Sequence, residues 1–287
     1  MPGARQEPVR IVVDYLVDSV IRLFGLLLAG YAALCLVLYL FQDRLIFLPR
    51  SLLLHPTGAH VSPVTVASGS VSLRGWVVNP ASQGPLLVYF GGNAEELSGL
   101  VQVFARLDAT TVLVNYRGFG ESEGSPSAAD LIADARTVVD VIQRRLGGQR
   151  PLILFGRSIG SGIAAHAASA ADVDALILMS PYRTLQGLAA GHMPWVPVSL
   201  LLRHHIDTVA ALDELPARLL VLYGEQDHII PTEESRAVVD LLEPAPRVVE
   251  FQAGHNVPLT HPDIWPHIER FVADTARAAG GAGRSGP

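Results

Sequence analysis

Apolar residues follow two different patterns along this chain of 287 residues. Residues 23–41 contain no charged side chain, and as a helix they would span about 28 Å, close to the roughly 30 Å hydrocarbon core of a bilayer. After residue 61, short apolar runs alternate with longer segments in which apolar residues recur at helical spacing. We therefore expect a single transmembrane helix over 23–41, followed by a domain in which strands alternate with helices.

Eight short apolar runs predict strands, and five longer segments predict helices. Most of the later strands are continuously apolar, which is typical of strands buried on both faces of a parallel sheet. The alternation predicts an α/β fold with a mostly parallel, eight-stranded sheet flanked by helices. The strands are expected at 64–67, 73–78, 86–90, 111–115, 152–155, 175–179, 219–223 and 248–251, and the helices at 96–106, 126–146, 159–170, 232–242 and 264–277.

The same patterns divide the rest of the chain into further parts. Residues 1–22 precede the membrane helix, and 42–61, which contain two prolines, are expected to form a linker. The α/β domain is expected over 62–277. Within it, 181–215 breaks the alternation and is expected to form a small lid over the sheet edge. The glycine-rich tail, 278–287, is expected to be disordered.

Arginines flank the expected membrane helix unequally. Three precede it, Arg5, Arg10 and Arg22, and two follow it, Arg44 and Arg50. Because basic residues accumulate on the cytoplasmic side of a membrane, this difference favours a cytoplasmic N-terminus and a domain outside the cytoplasm, in a bacterial cell membrane. A cleaved signal peptide is a weaker interpretation, since the apolar stretch is long and no small-residue cleavage motif follows it.

Composition excludes several classes of protein and site. Hydrophobic residues make up 49% of the chain and charged residues 17%, which excludes long disorder. A net charge of −6 argues against a nucleic-acid-binding protein with an overall basic surface. All 21 basic residues are arginine, which excludes a lysine nucleophile, and the single Cys35 excludes an internal disulfide.

The expected lid carries His192, His204 and His205 without paired carboxylates, so no metal site is expected there.

Two segments match the pattern G-x-S-x-G, which places a serine on a sharp turn; they are centred on Ser158 and Ser122. Ser158 directly follows a predicted strand and precedes a predicted helix, as such a turn requires. The helix would direct the positive end of its dipole toward a developing oxyanion. Ser122 instead lies between two glutamates in a glycine-rich loop, where an alkoxide would be disfavoured. Ser158 is therefore the candidate nucleophile.

A serine nucleophile needs a general base and an acid that orients the base. Asp227 and His255 each lie four residues beyond a predicted strand. Both would emerge at the carboxyl ends of parallel strands, where open α/β sheets place their sites, and the chain order is serine, aspartate, histidine. Asp227 and His255 are the candidate acid and base, with Glu225 and His228 as their nearby rivals.

The developing oxyanion needs hydrogen-bond donors. The first is expected to be the backbone N–H of Ile159, the residue after the nucleophile, and the second the backbone N–H of Asn93, in the loop after the third predicted strand. Asn93 also fits a helix N-cap, because Glu96 follows three residues later. The two roles are compatible, since capping would use the side chain of Asn93 and the oxyanion its backbone.

In combination these motifs resemble the α/β-hydrolase superfamily, and especially its small membrane-anchored subgroup, which includes eukaryotic protein depalmitoylases and uncharacterised bacterial relatives. The resemblance covers about residues 41–275. One difference is Gly91, where many relatives carry histidine before glycine. The matching segments are FQDRLIFLP at 41–49, FGGNA at 90–94, NYRGFGESEG at 115–124, GRSIG at 156–160, SPY at 180–182, Asp227, and Gly254 with His255.

The resemblance implies an α/β-hydrolase fold and cleavage of ester, thioester or amide bonds through an acyl-enzyme, without a cofactor. The expected partners are a membrane and an acyl ester or thioester substrate, with lipids and acylated proteins among the candidates. Two alternatives stay open. One is a peptidase or amidase of the same fold, and the other is a catalytically silent hydrolase fold used for binding.

Overall fold

A computed structural model describes residues 7–212 and 218–282 of the chain. The chain divides into two compact units, Met1–Gln42 and Asp43–Pro287. The described residues of the first unit are helical, and the second unit contains the sheet and the remaining helices.

Helix α1, Glu7–Ile46, extends the predicted apolar helix at both ends. Its segment Val13–Ile46 is long and apolar enough to cross a membrane, with a mean hydropathy of 2.3 in its most apolar window. No part of this most apolar stretch is buried, whereas the core helix of a soluble protein would be mostly buried. A signal sequence would also be both apolar and unburied. The helix predicted over 23–41 is confirmed, but residues 42–46, expected in the linker, continue it.

All eight predicted strands are present and pair in one sheet. The order across the sheet is first, second, fourth, third, fifth, sixth, seventh, eighth. The first two strands pair antiparallel with their neighbours, and every later pair is parallel. The predicted mostly parallel, eight-stranded sheet is therefore confirmed. The strands are β1 (Val61–Ser68), β2 (Val71–Val78), β3 (Leu86–Phe90), β4 (Thr110–Val114), β5 (Leu152–Arg157), β6 (Ala175–Met179), β7 (Arg218–Gly224) and β8 (Arg247–Phe251).

Helices cover both faces of the sheet. Alternate side chains of each strand point to opposite faces, and they contribute to two separate clusters of buried apolar residues. One cluster includes residues of α3, α4 and α7, and the other includes residues of α2 and α8. The helices are α2 (Val101–Phe104), α3 (Ala128–Ile142), α4 (Ile159–Ala168), α5 (Leu185–His192), α6 (Val198–Leu201), α7 (Thr232–Val239) and α8 (Trp265–Ala282).

Two predicted segments differ from the structure. The helix predicted over 96–106 is a 3-10 turn, which the Glu96 side chain caps by accepting a hydrogen bond from the Ser98 N–H, followed by the four-residue α2. The prediction of a disordered tail is wrong in its first part, since α8 continues to Ala282. Residues 283–287 lie outside the described residues.

The expected lid and linker are also more ordered than the sequence predicts. The segment 181–215 contains α5, α6 and a 3-10 turn, and its last three residues lie outside the described residues. Within the expected linker, Phe47 is only 1% exposed, and Ser51 forms a β-bridge with Gly120. The chain from Asp43 onward therefore belongs to the α/β unit rather than leading to it.

Candidate active site

Ser158 lies on the sharp turn between β5 and α4 that the sequence predicts. Its φ is 55° and its ψ is −125°, a conformation that costs a residue other than glycine about 1–3 kcal/mol. The flanking positions require glycine, because a Cβ on Gly156 would lie 2.2 Å from the Gly160 oxygen, and one on Gly160 would lie 2.2 Å from the Phe90 oxygen. The turn brings Ser158 to the carboxyl end of β5, beside the loop that follows β3.

The structure brings Ser158, His255 and Asp227 into one continuous line of hydrogen bonds. The Nε2 atom of His255 lies 3.0 Å from the Oγ of Ser158, and its Nδ1 lies 2.8 Å from the Oδ2 of Asp227. The side chains of His255 and Asp227 are 8% and 1% exposed. Because an ionised carboxylate can only accept, Nδ1 carries the proton of the neutral imidazole, and Nε2 is left to accept from the serine hydroxyl.

Asp227 is held by donors other than His255. The N–H groups of Ile229 and Ile230 donate to Oδ1 over 3.0 and 2.8 Å, and the hydroxyl of Ser180 donates to Oδ2 over 3.0 Å. Burial alone would raise the pKa of Asp227, but the hydrogen bond and charge of His255, together with the donors Ile230 and Ser180, lower that pKa below its usual value. Asp227 is therefore ionised at neutral pH.

Ser180, which donates to Asp227, was not among the residues predicted from the sequence to form the site. It directly follows β6, and so it emerges at the same edge of the sheet as the candidate residues. Its position in the Ser-Pro-Tyr segment, at the end of a predicted strand, was the one signal that could have identified it.

The loop after β3, residues 91–96, is here called the oxyanion loop. It lies against the serine turn, because a Cβ on Gly92 would be 3.5 Å from the Cβ of Ser158. Ile159 is the first residue of α4, so its N–H has no acceptor within the helix. In the described part of the chain, neither this N–H nor that of Asn93 donates to a protein acceptor.

The side chain of Asn93 does not cap a helix. Its Nδ2 donates to the carbonyl oxygen of Ile46 over 3.4 Å, while the cap of the following turn is supplied by Glu96. The capping prediction is therefore wrong, because Glu96 lies directly before the turn and reaches its free N–H groups first. The backbone of Asn93 is left unaffected by this difference.

Arg157, within the G-x-S-x-G segment, connects the loops around the candidate nucleophile. Its guanidinium lies 3.2 Å from Oε1 of Glu95 and donates over 3.0 Å to each of the carbonyl oxygens of His255 and Val257. Oε2 of Glu95 in turn accepts from the N–H of Gly92 over 2.8 Å. Arg157 thereby joins the oxyanion loop to the loop that carries His255, a link that the sequence analysis missed.

Ser122, the second match to the serine pattern, is a structural residue. It is 7% exposed. Its Oγ accepts from the N–H of Arg74 over 2.8 Å and donates to the carbonyl oxygen of Asn115 over 2.9 Å. The hydroxyl thus connects β2 to the loop after β4, and none of its described hydrogen bonds involves a histidine.

A cavity of about 260 Å³ opens beside Ser158. None of its described lining residues comes from the expected lid, so the cavity does not support the interpretation of 181–215 as the wall of an acyl pocket. Small and polar side chains predominate. The lining residues are Gly92, Asn93, Ala94, Glu95, Arg157, Ser158, His255 and Asn256.

The histidines of the expected lid make separate contacts. Nε2 of His192 lies 2.8 Å from the carbonyl oxygen of Ile229, and Nε2 of His204 lies 2.6 Å from Oδ1 of Asp43. Among the described residues, no group of three or more His, Cys, Asp or Glu side chains is placed to hold a metal ion.

The fold and the site together define a class of protein. A serine on a strand-to-helix turn, hydrogen-bonded to a histidine that is itself bonded to a buried aspartate, on a mostly parallel sheet, is the arrangement of the α/β-fold serine hydrolases.

Comparisons with known proteins agree with that class. The family model described as serine aminopeptidase, S33, matches residues 87–200, and the model described as serine hydrolase (FSH1) matches 154–265. An uncharacterized protein of Mycobacterium tuberculosis is 32% identical over 253 residues, which cover 82% of this chain and 88% of that protein. The chain belongs to the α/β-hydrolase superfamily of serine hydrolases.

Two further similarities concern proteins with named activities. The lysophosphatidylserine lipase ABHD12 of Danio rerio is 29% identical over 187 residues, which cover 56% of this chain and 48% of the lipase. The structure of an esterase from Pyrococcus furiosus superposes with a TM-score of 0.66 at 16% identity, covering 80% of this chain and 97% of the esterase. At that identity the second similarity shows the fold alone.

Proposed function

We propose that this protein is a membrane-anchored serine hydrolase that cleaves acyl ester or thioester bonds, with Ser158, His255 and Asp227 as its catalytic triad. The observation that carries the proposal is the line of hydrogen bonds from Ser158 through His255 to the buried Asp227, at the mouth of a cavity. The family membership supports hydrolysis, and the geometry supports these three residues as the ones that perform it.

In the proposed reaction, Oγ of Ser158 attacks the acyl carbonyl carbon and transfers its proton to Nε2 of His255. The positive charge that forms on the imidazole is stabilised by the ionised Asp227. The carbon–oxygen or carbon–sulfur bond then breaks, and the leaving alcohol or thiol takes the proton from His255. Water attacks the acyl-enzyme in the second half of the reaction, delivers its proton through His255, and releases the acid and the free serine.

We assign the stabilisation of the tetrahedral oxyanion to the backbone N–H groups of Asn93 and Ile159. Both N–H groups have no protein acceptor among the described residues, and the loop of Asn93 lies against the serine turn. The N-terminal end of α4 adds its partial positive charge at Ile159. Donors held in place before the reaction need no reorganisation when charge develops, which is why such groups contribute strongly to catalysis.

The choice of acyl esters and thioesters rests on the relatives and on α1. One relative is a lipase for lysophosphatidylserine. The unburied, apolar α1 supports attachment to a bilayer, where lipids and acylated proteins are the esters within reach. The excess of arginines before residues 23–41, the uncharged part of α1, supports a catalytic unit outside the cytoplasm of a bacterial cell.

The experiment uses the full-length chain in detergent, a fluorophosphonate probe, and p-nitrophenyl esters and acyl thioesters of increasing chain length. The wild type and Ser122→Ala should both label and hydrolyse, whereas Ser158→Ala should do neither. Full activity in Ser158→Ala would contradict the triad, and no labelling or turnover in the wild type would favour a silent binding protein.

A second candidate activity, peptide or amide hydrolysis, is favoured by the match to the serine aminopeptidase family model. The same experiment includes an aminoacyl p-nitroanilide. Turnover of the anilide with a kcat/KM above that of every ester and thioester would replace the proposed substrate class, while leaving the triad in place.

Membrane attachment and orientation are tested on cells. The full chain should remain in the membrane after carbonate extraction at high pH, and protease added to spheroplasts should digest the catalytic unit. Release by carbonate would contradict the anchor, and protection of the catalytic unit would reverse the orientation without changing the assigned chemistry.

A further inference from the structure

The segment directly after the apolar helix contacts the oxyanion loop, and the proposed reaction gives that segment no role. It is here called the strap and comprises residues 43–54, the last turn of α1 and the extended chain that follows. We infer that the strap is a positioning element for the oxyanion loop, with Phe47 at its centre. This inference rests on the proposed role of Asn93 as an oxyanion donor.

The strap holds the peptide that follows Asn93. The N–H of Ala94 donates to the carbonyl oxygen of Phe47 over 3.2 Å, and the Asn93 side chain donates to the carbonyl oxygen of Ile46 over 3.4 Å. One contact is made by the side chain of Asn93 and the other by the peptide that follows it, so together they help to fix the residue whose N–H is the proposed donor. A displacement of the strap would therefore move a donor of the oxyanion, although the strap itself contains no catalytic group.

Backbone strain is present on both sides of this contact. Leu48, directly after Phe47, has a φ of 49°, and Ala94 has a φ of 55°. This left-handed region is unfavourable for residues other than glycine, and they remain in it only where the surrounding structure fixes their conformation. The mutual contact of two such turns indicates that the loop and the strap determine each other's conformation.

The first end of the strap is fixed by a buried histidine. Phe47 is 1% exposed and packs edge-on against the ring of His204, with 4.8 Å between ring centroids. Nε2 of His204 lies 2.6 Å from Oδ1 of Asp43, and its Nδ1 accepts from the N–H of Ala128 over 3.4 Å. Because Nδ1 accepts, Nε2 carries the proton and donates to Asp43. His204 thus holds the strap against the start of α3.

The second end of the strap is fixed beside the oxyanion loop. The carbonyl oxygen of Arg50 accepts from the N–H of Gly120 over 2.8 Å. The N–H of Leu53 donates to Oε2 of Glu96 over 3.2 Å, and that of Leu54 donates to Oγ of Ser98 over 3.0 Å. The strap is therefore held at both ends, and it contacts the oxyanion loop both at Asn93 and Ala94 and, through Leu53, at Glu96.

The strap should affect the oxyanion donors without affecting the nucleophile or the base. None of the described hydrogen bonds of the strap involves Ser158, His255 or Asp227. Loss of one oxyanion donor lowers kcat by about 10²–10³-fold. Displacement of a donor that is still present should lower kcat by a smaller factor. A strap variant is therefore expected to lower turnover per active site by about 10-fold.

The test uses full-length protein in detergent with p-nitrophenyl acetate. Active sites are counted by fluorophosphonate labelling run to completion, so that loss of folded protein changes the count but not the activity per site. Phe47→Leu should lower kcat/KM per labelled site by about 10-fold. The Ki of an aryl trifluoromethyl ketone, whose hemiketal oxyanion needs the same donors, should rise by the same factor. The midpoint of the rising limb of the pH profile, which reports the base, should not move.

A second set of variants covers the case in which Phe47→Leu does not fold. The side chain of Asp43 is 50% exposed, so Asp43→Ala should fold and should also lower kcat/KM and raise the Ki. Asp43→Asn keeps an acceptor for His204 and should restore most of the lost activity. The controls are Phe271→Leu, a buried ring on the opposite face of the sheet, and Asp140→Ala, a carboxylate that is 58% exposed and paired with an arginine.

The inference is overturned if Asp43→Ala and any folded Phe47→Leu keep the wild-type kcat/KM and Ki per site, or if Phe271→Leu raises the Ki as much as they do. Ser158→Ala separates the two proposals. If Ser158→Ala is inactive while the strap variants match the wild type, only the strap inference fails. If Ser158→Ala remains active, the proposed function fails and the strap inference fails with it.

Discussion

Replacing Arg157 with methionine should damage stability and activity together. The change keeps an unbranched, apolar stem but removes the guanidinium, and with it the charge and three hydrogen bonds, to Glu95 and to the carbonyl oxygens of His255 and Val257. The side chains of Arg157 and Glu95 are only 13% and 18% exposed. Glu95 would therefore keep a largely buried charge that has lost its ionic partner.

The expected magnitude follows from that burial. Removing one partner of a buried ion pair costs about 3–5 kcal/mol, because the remaining charge is left uncompensated. The double variant Glu95→Gln/Arg157→Met removes both charges and keeps an oxygen for the N–H of Gly92, so we expect it to cost only about 1–2 kcal/mol. Loosening of the His255 loop should lower kcat/KM by about 10²-fold in the single variant, since a misplacement of about 1 Å has effects of that size.

The measurement is the free energy of unfolding of the α/β unit, from urea titrations followed by tryptophan fluorescence, with kcat/KM on a short ester beside it. Arg183→Met is the matched control. Arg183 also pairs with a glutamate, Glu234, but its side chain is 53% exposed, and we expect a cost of about 0–1 kcal/mol. The reasoning is refuted if Arg157→Met costs no more than Arg183→Met, or if the double variant is less stable than the single one.

Three other changes give separate tests. His255→Ala should lower kcat by about 10⁴-fold or more without changing the urea midpoint greatly; a loss below about tenfold in a folded protein would contradict its role as the base. The pKa of Asp227 is lower in the folded chain than usual, so its ionised form adds stability above about pH 4 that is lost as the pH falls through the folded pKa. The difference in unfolding free energy between the wild type and Asp227→Asn should therefore be largest at neutral pH and should shrink in acid. A difference that grows in acid would contradict a stabilising role for the ionised form of Asp227. A chain that begins at Asp43 should be soluble and active on a water-soluble ester, whereas one that begins at Leu45 loses the partner of His204 and should be less active; equal activity of the two would count against the strap.

Local sequence patterns were sufficient to predict the sheet and the candidate triad. Strands that are buried on both faces are continuously apolar, and so they are visible in the sequence without knowledge of their neighbours. The serine turn needs glycine at 156 because a Cβ there would meet the Gly160 oxygen within the same motif, whereas glycine is needed at 160 because of the Phe90 oxygen, which belongs to a distant part of the chain. The positions of Asp227 and His255 follow from the rule that loops at the carboxyl ends of parallel strands meet at one edge.

The features that the sequence analysis missed depend on contacts between distant parts of the chain. Arg157 and Glu95 are 62 residues apart, and His204 and Asp43 are 161 apart. No periodicity or local motif connects such pairs, and two prolines in 42–61 suggested a linker although the segment is packed into the domain. The end of α8 was missed for a related reason, because a run of alanine and glycine is typical of a tail when it is considered apart from the helix before it.

The make-up of the cavity beside Ser158 has a consequence for inhibitor design. Its walls offer backbone N–H groups, an amide at Asn256 and the ion pair between Glu95 and Arg157, and few apolar groups. Electrophiles that depend on a long alkyl tail for potency would find little in this volume to distinguish this enzyme from other serine hydrolases. We expect compact warheads that carry hydrogen-bonding substituents to bind better than long-chain ones, because their affinity would come from directional contacts with these walls.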